Sequence, residues 1–91
     1  MIRVHPGRIL AREMEARNLT ANALALKLRV PANRISEIIA GRRGISPETA
    51  LRLGRYFGTG AELWIRLQAD FDLSQAEQQF GDAIRREIAA A

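Results

Sequence analysis

The segment from residue 19 to residue 41, LTANALALKLRVPANRISEIIAG, predicts two short helices separated by a tight break. Apolar side chains recur three or four residues apart in each half, which is the period of a helix with one buried face. They are Leu24, Ala25 and Leu28 in the first helix, and Ile35, Ile38 and Ile39 in the second. The break lies at Arg29-Val30-Pro31. A proline pushes the residue before it toward an extended conformation and can itself occupy the first helical position.

The outer face of the second helix is mostly polar. With the isoleucines buried, the residues that point outward are Ala32, Asn33, Ser36, Glu37 and Ala40. Arg42 and Arg43 follow the helix at once. A short helix with an asparagine near its start and two cations just past its end suits a DNA major groove flanked by phosphates. The segment is therefore predicted to be a helix-turn-helix.

Contacts to DNA bases can be predicted residue by residue. The candidates are Ala32, Asn33, Ser36 and Glu37. Asn33 lies in the first turn, where its amide can make two hydrogen bonds to an adenine. Ser36 and Ala32 can touch a thymine methyl group or a base edge. Glu37 either accepts a hydrogen bond from a cytosine amino group or holds Arg34 or Arg43 in place.

A second set of residues is predicted to meet DNA phosphates: Thr20, Asn22, Arg34, Arg42 and Arg43. The helix N-terminus at Asn22 offers backbone amides to an anion. Thr20 is also predicted to cap that helix, which is compatible with a phosphate contact. Arg34 suits a phosphate at the groove edge, with a guanine as the alternative. For Arg42 and Arg43 the alternative is ordinary solvation of a loop.

The motif LA-x-x-L-x-VP-x-x-x-IS-x-I-x-x-G, from Leu24 to Gly41, resembles the XRE (phage-repressor-like) helix-turn-helix family. Two further segments narrow the resemblance to the HigA/VapI antitoxins of bacterial toxin–antitoxin pairs. They are His5-Pro6-Gly7 and GRRGISPETALRLGRYFGTGAELWIRLQADFDL, which ends at Leu73. The similarity covers residues 4–73. Family members usually carry glycine where this chain has Arg29, and a left-handed conformation costs a non-glycine residue about 1 kcal/mol.

The helical pattern and the resemblance together predict an all-α, compact five- to six-helix bundle of the lambda-repressor-like helix-turn-helix type. Residues 1–73 are expected to form the XRE-type DNA-binding domain, and residues 74–91 a C-terminal helix that packs in a dimer or against a partner. The resemblance implies a homodimer that binds double-stranded DNA at a palindromic operator. It also implies that the chain neutralises a small basic RelE-like (HigB-type) ribonuclease toxin and represses its own operon. The alternative is a stand-alone XRE-family transcriptional regulator with no toxin partner.

Other helix boundaries follow from local signals. The first helix is predicted from Pro6 to Arg17, with the proline near its start. Ser46-Pro47-Glu48 supplies a cap, a first-position proline and a first-turn acid for a fourth helix, which Gly58 ends. Capping-box spacing recurs at Thr59-Gly60-Ala61-Glu62 and at Ser74-Gln75-Ala76-Glu77. These two boxes predict the starts of a fifth and a sixth helix.

The predicted sixth helix raises a packing question, because five helices suffice to close a core of this size. Its apolar stripe must fold back, pair with a second copy, or contact another protein. The residues predicted to serve a dimer or a partner are Trp64, Phe80, Ile84 and Ile88. For Trp64 the core is the alternative, since large aromatic residues serve both cores and interfaces.

Charge is distributed unevenly along the 91 residues. Residues 1–58 carry eleven basic and four acidic side chains, a balance of +7, whereas residues 59–91 carry three basic and six acidic ones, a balance of −3. This division favours one surface for a polyanion and another for a different partner.

Several classes of function find no support in the sequence. There is no cysteine and one histidine, which argues against disulfides, thiolate metal sites and zinc; no cofactor is expected. No serine has a recognisable nucleophile context, so an enzyme is not predicted. No apolar run approaches the roughly 18 residues needed to span a bilayer, and residues 1–4 lack a signal-peptide core. We therefore expect a cytoplasmic protein without membrane contact.

Overall fold

The computed structural model describes residues 4–91, and within that range it contains five helices and no strand. The helices are α1 (Pro6–Ala16), α2 (Ala21–Leu28), α3 (Ala32–Ile39), α4 (Pro47–Phe57) and α5 (Ala61–Glu87). Residues 1–3, most of the segment considered for a signal peptide, lie outside the described range. The predicted all-α class is confirmed.

Side chains cap three of the helices. The Thr20 hydroxyl accepts a hydrogen bond from the Ala23 amide at 3.1 Å, and the Ser46 hydroxyl accepts one from the Thr49 amide at 3.2 Å. Both caps were predicted, because each depends only on residues three positions apart. At α1 the cap is His5, whose Nδ1 accepts from the Gly7 amide at 2.9 Å. Histidine is not among the usual capping residues, and this cap was not predicted.

The turn between α2 and α3 contains a left-handed residue, Arg29, at the position where members of the resembling family usually carry glycine. Arg29 has φ 59° and ψ 45°, and its amide bonds the carbonyl of Leu26 at 3.3 Å. Pro31 has φ −58° and ψ 146°, so it is the N-cap of α3 rather than its first helical residue. The prediction for Pro31 is therefore wrong by one position. Its fixed φ suits either position, and only its extended ψ decides between them.

The core lies where α1 to α4 meet the first turns of α5. Its buried apolar residues are Leu10, Met14, Leu24, Ala25, Leu28, Ile35, Ile38, Ile45, Ala50, Leu53 and Trp64. Trp64 has no exposed surface, and its indole nitrogen donates to the Thr59 hydroxyl at 3.0 Å. The prediction of Trp64 as a dimer or partner contact is thus wrong, because the side chain is buried within the protomer and its N–H group is already hydrogen-bonded there.

The first predicted capping box does not form. The N-cap of α5 is Gly60, with φ 82°, and no side chain caps this end. Thr59 instead accepts the indole proton of Trp64 and donates to the Gly60 carbonyl at 2.9 Å. A buried indole needs a partner for its N–H group, and Thr59 is the residue that supplies one.

The helix α5 runs without interruption through the second predicted box. The predicted start of a sixth helix at Ser74 is wrong, because no glycine or proline between Ala61 and Phe80 interrupts the backbone ladder. The helix ends at Glu87, and Ile88 is an extended C-cap with φ −119°. Residues 74–87 therefore prolong α5 instead of folding back, which gives the molecule extents of 49 × 22 × 22 Å. The functional division at residue 73 stays a prediction.

Candidate nucleic-acid interface

The helix α3 presents one apolar and one polar face, as its sequence predicts. Ile35 and Ile38 are fully buried against α1 and α2, whereas Ile39 is only partly buried. The exposed residues of the helix and its C-cap are Ala32, Asn33, Ser36 and Ala40. A rigid, amphipathic helix of 8 residues is thus held by its isoleucines with its polar side toward solvent.

Two of the predicted base contacts differ in what they can offer. The side-chain amide of Asn33 is exposed and makes no hydrogen bond to another described residue, so its donor and acceptor both face solvent. Ser36 donates its hydroxyl proton to the Asn33 carbonyl at 3.1 Å. The hydroxyl oxygen keeps its acceptor capacity. Asn33 is therefore the better placed of the two for reading a base pair.

Glu37 holds an arginine in place, which is the second of the two roles predicted for it. Its Oε1 lies 2.9 Å from Nε of Arg43, and the carboxylate is partly buried. The pair lies at the end of α3, where the amides of Arg42 and Arg43 both bond the Glu37 carbonyl. Glu37 thus orients Arg43, while the side chain of Arg42 is exposed and makes no ion pair with a described residue.

Arg34 points toward α4. Its Nη1 lies 3.9 Å from Oε1 of Glu48, a carboxylate that also pairs with Arg52 at 2.9 Å. An ion pair at 3.9 Å with a mostly exposed carboxylate is weak, so a phosphate can compete for the guanidinium. Arg34 accordingly lies in the first turn of α3, and its ion pair with Glu48 is weak enough to leave it available to a phosphate.

The N-terminus of α2 offers a second anion site. Thr20 occupies the Ala23 amide, and the amides of Ala21 and Asn22 have no acceptor within the helix. Both amides lie at the positive end of the helix dipole, which favours a phosphate. The exposed Asn22 side chain adds a further donor at this end.

The segment that forms this surface matches a known protein family, and the whole chain resembles solved structures of related proteins. Residues 10–64 match the helix-turn-helix family. A structure of an addiction module antidote protein of a HigA family from Coxiella burnetii has 40% sequence identity and a TM-score of 0.96, and the alignment covers 100% of both chains. This chain belongs to the HigA family of helix-turn-helix proteins.

Two further relatives agree with that membership. Virulence-associated protein I of Dichelobacter nodosus is 49% identical over 76 residues, which are 82% of this chain and 70% of the relative. The Pseudomonas aeruginosa antitoxin HigA, solved with the higBA promoter, is 40% identical with a TM-score of 0.92, covering 94% of this chain and 95% of that one.

In this HigA-family chain, the loop that carries Arg42 and Arg43 is anchored by Gln68, a residue that the sequence did not suggest. Gln68 of α5 accepts a hydrogen bond from the Ile45 amide at 2.8 Å and donates to Asp72 at 2.9 Å. The bond to Ile45 fixes the end of the loop that carries Arg42 and Arg43. The two bonded residues are 23 positions apart in sequence, so no local pattern could have indicated the contact.

The described part of this HigA-family fold has neither a membrane-spanning helix nor a metal-binding cluster. Within residues 4–91, no helix combines the length and the apolar character that a membrane span requires. The same residues contain no cluster of three histidine or acidic side chains able to hold a metal ion.

Proposed function

We propose that this chain is a dimeric, sequence-specific DNA-binding antitoxin that represses its own operon and neutralises a small RelE-like ribonuclease toxin. One observation carries the DNA-binding part: the open polar face of α3, with the unengaged amide of Asn33 in its first turn and Arg42 beyond its end. The likeness to a HigA antitoxin solved with its promoter supports the same function.

In the proposed interface, one set of residues reads the DNA sequence and another set binds the phosphates of any sequence. Asn33 reads an adenine, because an amide side chain matches the donor and acceptor that adenine presents in the major groove. Arg42 and the N-terminus of α2 bind phosphates on either side of the groove, and they fix the position of α3 without reading sequence. Arg43 is a positioned phosphate ligand, since Glu37 already holds its guanidinium.

Replacing Asn33 with alanine should weaken binding to the cognate operator by about 1–3 kcal/mol and affect random DNA far less. Arg42→Ala should weaken both alike and reduce the salt dependence by about one unit of slope. Fluorescence anisotropy on the two duplexes at several salt concentrations measures both effects. Gln78→Ala, which removes an exposed amide from α5, is the matched control. Unchanged operator affinity in Asn33→Ala would show that α3 does not read the bases as proposed.

Neutralisation of the toxin is proposed to use a different surface, on α5. The carboxylates of Glu62, Asp70 and Glu87 form no ion pair with any described residue, so they leave negative charge on a helix that has few compensating cations. A ribonuclease of the RelE type is expected to be basic, because its substrate is a polyanion. An acidic surface would favour its approach.

The double variant Asn33→Ala/Arg42→Ala should therefore abolish repression while still protecting cells from the toxin. Co-expression with the toxin measures protection, and a promoter fusion measures repression. Wild type and Gln78→Ala are the controls for expression level. If the double variant is folded and expressed yet fails to protect, the DNA and toxin surfaces overlap and the division proposed here is wrong.

A further inference from the structure

An open cleft of about 420 Å³ lies between the end of α2 and the outer side of α4. Its lining residues are Lys27, Leu28, Arg29, Leu51, Arg52, Arg55 and Tyr56. Arg52 bridges the two helices, since it donates to the Leu28 carbonyl at 2.9 Å and to Glu48 at 2.9 Å. The cleft thus has a fixed guanidinium at the junction of the helices, and neither the proposed DNA contacts nor the acidic surface of α5 uses it.

The cleft combines unpaired positive charge with exposed apolar surface. Lys27, Arg29 and Arg55 form no ion pair with any residue in the described range 4–91. Leu51 is 66% exposed and Tyr56, whose ring is apolar and whose hydroxyl is polar, is 38% exposed. Charge complementarity therefore calls for an anionic occupant, and the exposed leucine and tyrosine call for one that also carries apolar groups.

Nucleic acid fits this cleft poorly. The cations of the cleft could attract phosphates as well as carboxylates, so the apolar lining has to discriminate between them. A phosphate backbone carries no apolar group and would leave Leu51 and the ring of Tyr56 without a partner. A peptide can supply carboxylates and an apolar side chain together.

A second copy of the chain fits less well than a separate partner. Two of the three acidic groups on the distal part of α5, Glu77 and Asp82, are already engaged with Arg85, and the third, Glu87, lies directly beside Arg86. Inserting this part of α5 into the cleft of another copy would require breaking those pairs or leaving Arg85 against a cluster of like charge. Neither arrangement gains the complementarity that the cleft offers.

We propose that the cleft binds an acidic peptide segment of a partner protein. A bulky apolar side chain of the peptide packs against Leu51 and Tyr56. Carboxylates on either side of it pair with Lys27, Arg29 and Arg55, and the arginines can form two parallel hydrogen bonds to each carboxylate. A basic toxin does not match this chemistry, so the site is independent of the function proposed above.

The test uses the full-length chain and a fluorescein-labelled synthetic peptide in which leucine and phenylalanine are flanked by glutamates. Arg55→Glu and Leu51→Ser should each weaken binding by about tenfold, since each removes an interaction of roughly 1.4 kcal/mol or more. Arg86→Glu reverses an exposed cation on α5 and is the matched control, with unchanged affinity expected. Leu51→Ser keeps the test decisive if charge reversal at Arg55 impairs folding.

Four results would overturn the proposal. One is a lack of saturable peptide binding up to millimolar concentration, and another is wild-type affinity in Leu51→Ser and Arg55→Glu. A third is a loss of affinity for a random DNA duplex in Arg55→Glu as large as its loss for the peptide, which would make the cleft a nucleic-acid site. Conversion of a dimer to a monomer by Arg55→Glu in sedimentation would make the cleft a contact between copies. None of these measurements involves the operator or the toxin, so they fail or succeed separately from the proposed function.

Discussion

Replacing Gly7 with alanine should destabilise the fold by about 3 kcal/mol and lower Tm by about 10–20 °C. A Cβ atom at this position would lie 1.9 Å from the carbonyl oxygen of Ile38 and 2.8 Å from its carbonyl carbon. Both atoms belong to the backbone of α3, so no side-chain rotation can relieve the clash. Helix propensity alone would make alanine favourable here by up to about 1 kcal/mol, and the clash therefore decides the sign.

Urea and thermal unfolding followed by circular dichroism measure this effect, and Gly41→Ala is the matched control. Gly41 has φ +78°, but no atom lies within 4 Å of the position that a Cβ atom would occupy. Its replacement should therefore cost only the conformational strain of about 1 kcal/mol. Gly7→Ala should also reduce operator affinity, because α1 can accept a methyl group only by moving away from α3. A cost no larger than that of Gly41→Ala would show that the two helices separate freely.

Features that depend on near neighbours were predictable from the sequence. The spacing of Ile35 and Ile38 fixes the buried side of α3, and therefore which residues face solvent. The caps at Thr20 and Ser46 bond an amide three residues away, so the residue types and the spacing contain all the necessary information. The left-handed conformation of Arg29 is not of this kind, since only the glycine that related proteins usually carry at this position pointed to it.

Features that depend on tertiary contacts were not predictable. Thr59 has the spacing of a capping residue, but the buried indole of Trp64 claims its hydroxyl group. The sequence does not decide whether Glu37 holds Arg34 or Arg43, because the answer depends on the path of the loop after α3. That path in turn depends on Gln68 of α5, which no local motif connects with the loop.

The uninterrupted helix α5 carries apolar side chains on two opposite faces. Its inner face carries Trp64, Leu67 and Phe71, which contact the core or are partly buried. A second apolar stripe lies on the opposite side of the helix, as the rotation of about 100° per residue requires. The stripe consists of Ile65, Ala69, Leu73, Ala76, Phe80 and Ile84. It spans several turns, and its large side chains are exposed: Leu73 by 70%, Phe80 by 49% and Ile84 by 48%.

The double variant Phe80→Ser/Ile84→Ser should be a folded monomer that binds the operator about 10²–10⁴-fold more weakly. An exposed apolar stripe of this length is expected to be covered, and two copies of the same helix face can cover each other. The fold of the single chain should persist, because neither side chain contributes to the buried core. The loss of affinity follows from linkage, since two joined recognition helices bind their half-sites at a high effective concentration and separate ones do not.

Sedimentation velocity and operator titration on the same preparations measure the two consequences together. Leu26→Ser is the matched control, because it removes an exposed leucine from α2 and leaves α5 intact. It should remain dimeric and should bind the operator as the wild type does. A double variant that stays dimeric would exclude the outer stripe of α5 as the seam. A wild-type chain that is monomeric at micromolar concentration would reject the dimer itself, and α5 would then offer its stripe to another protein.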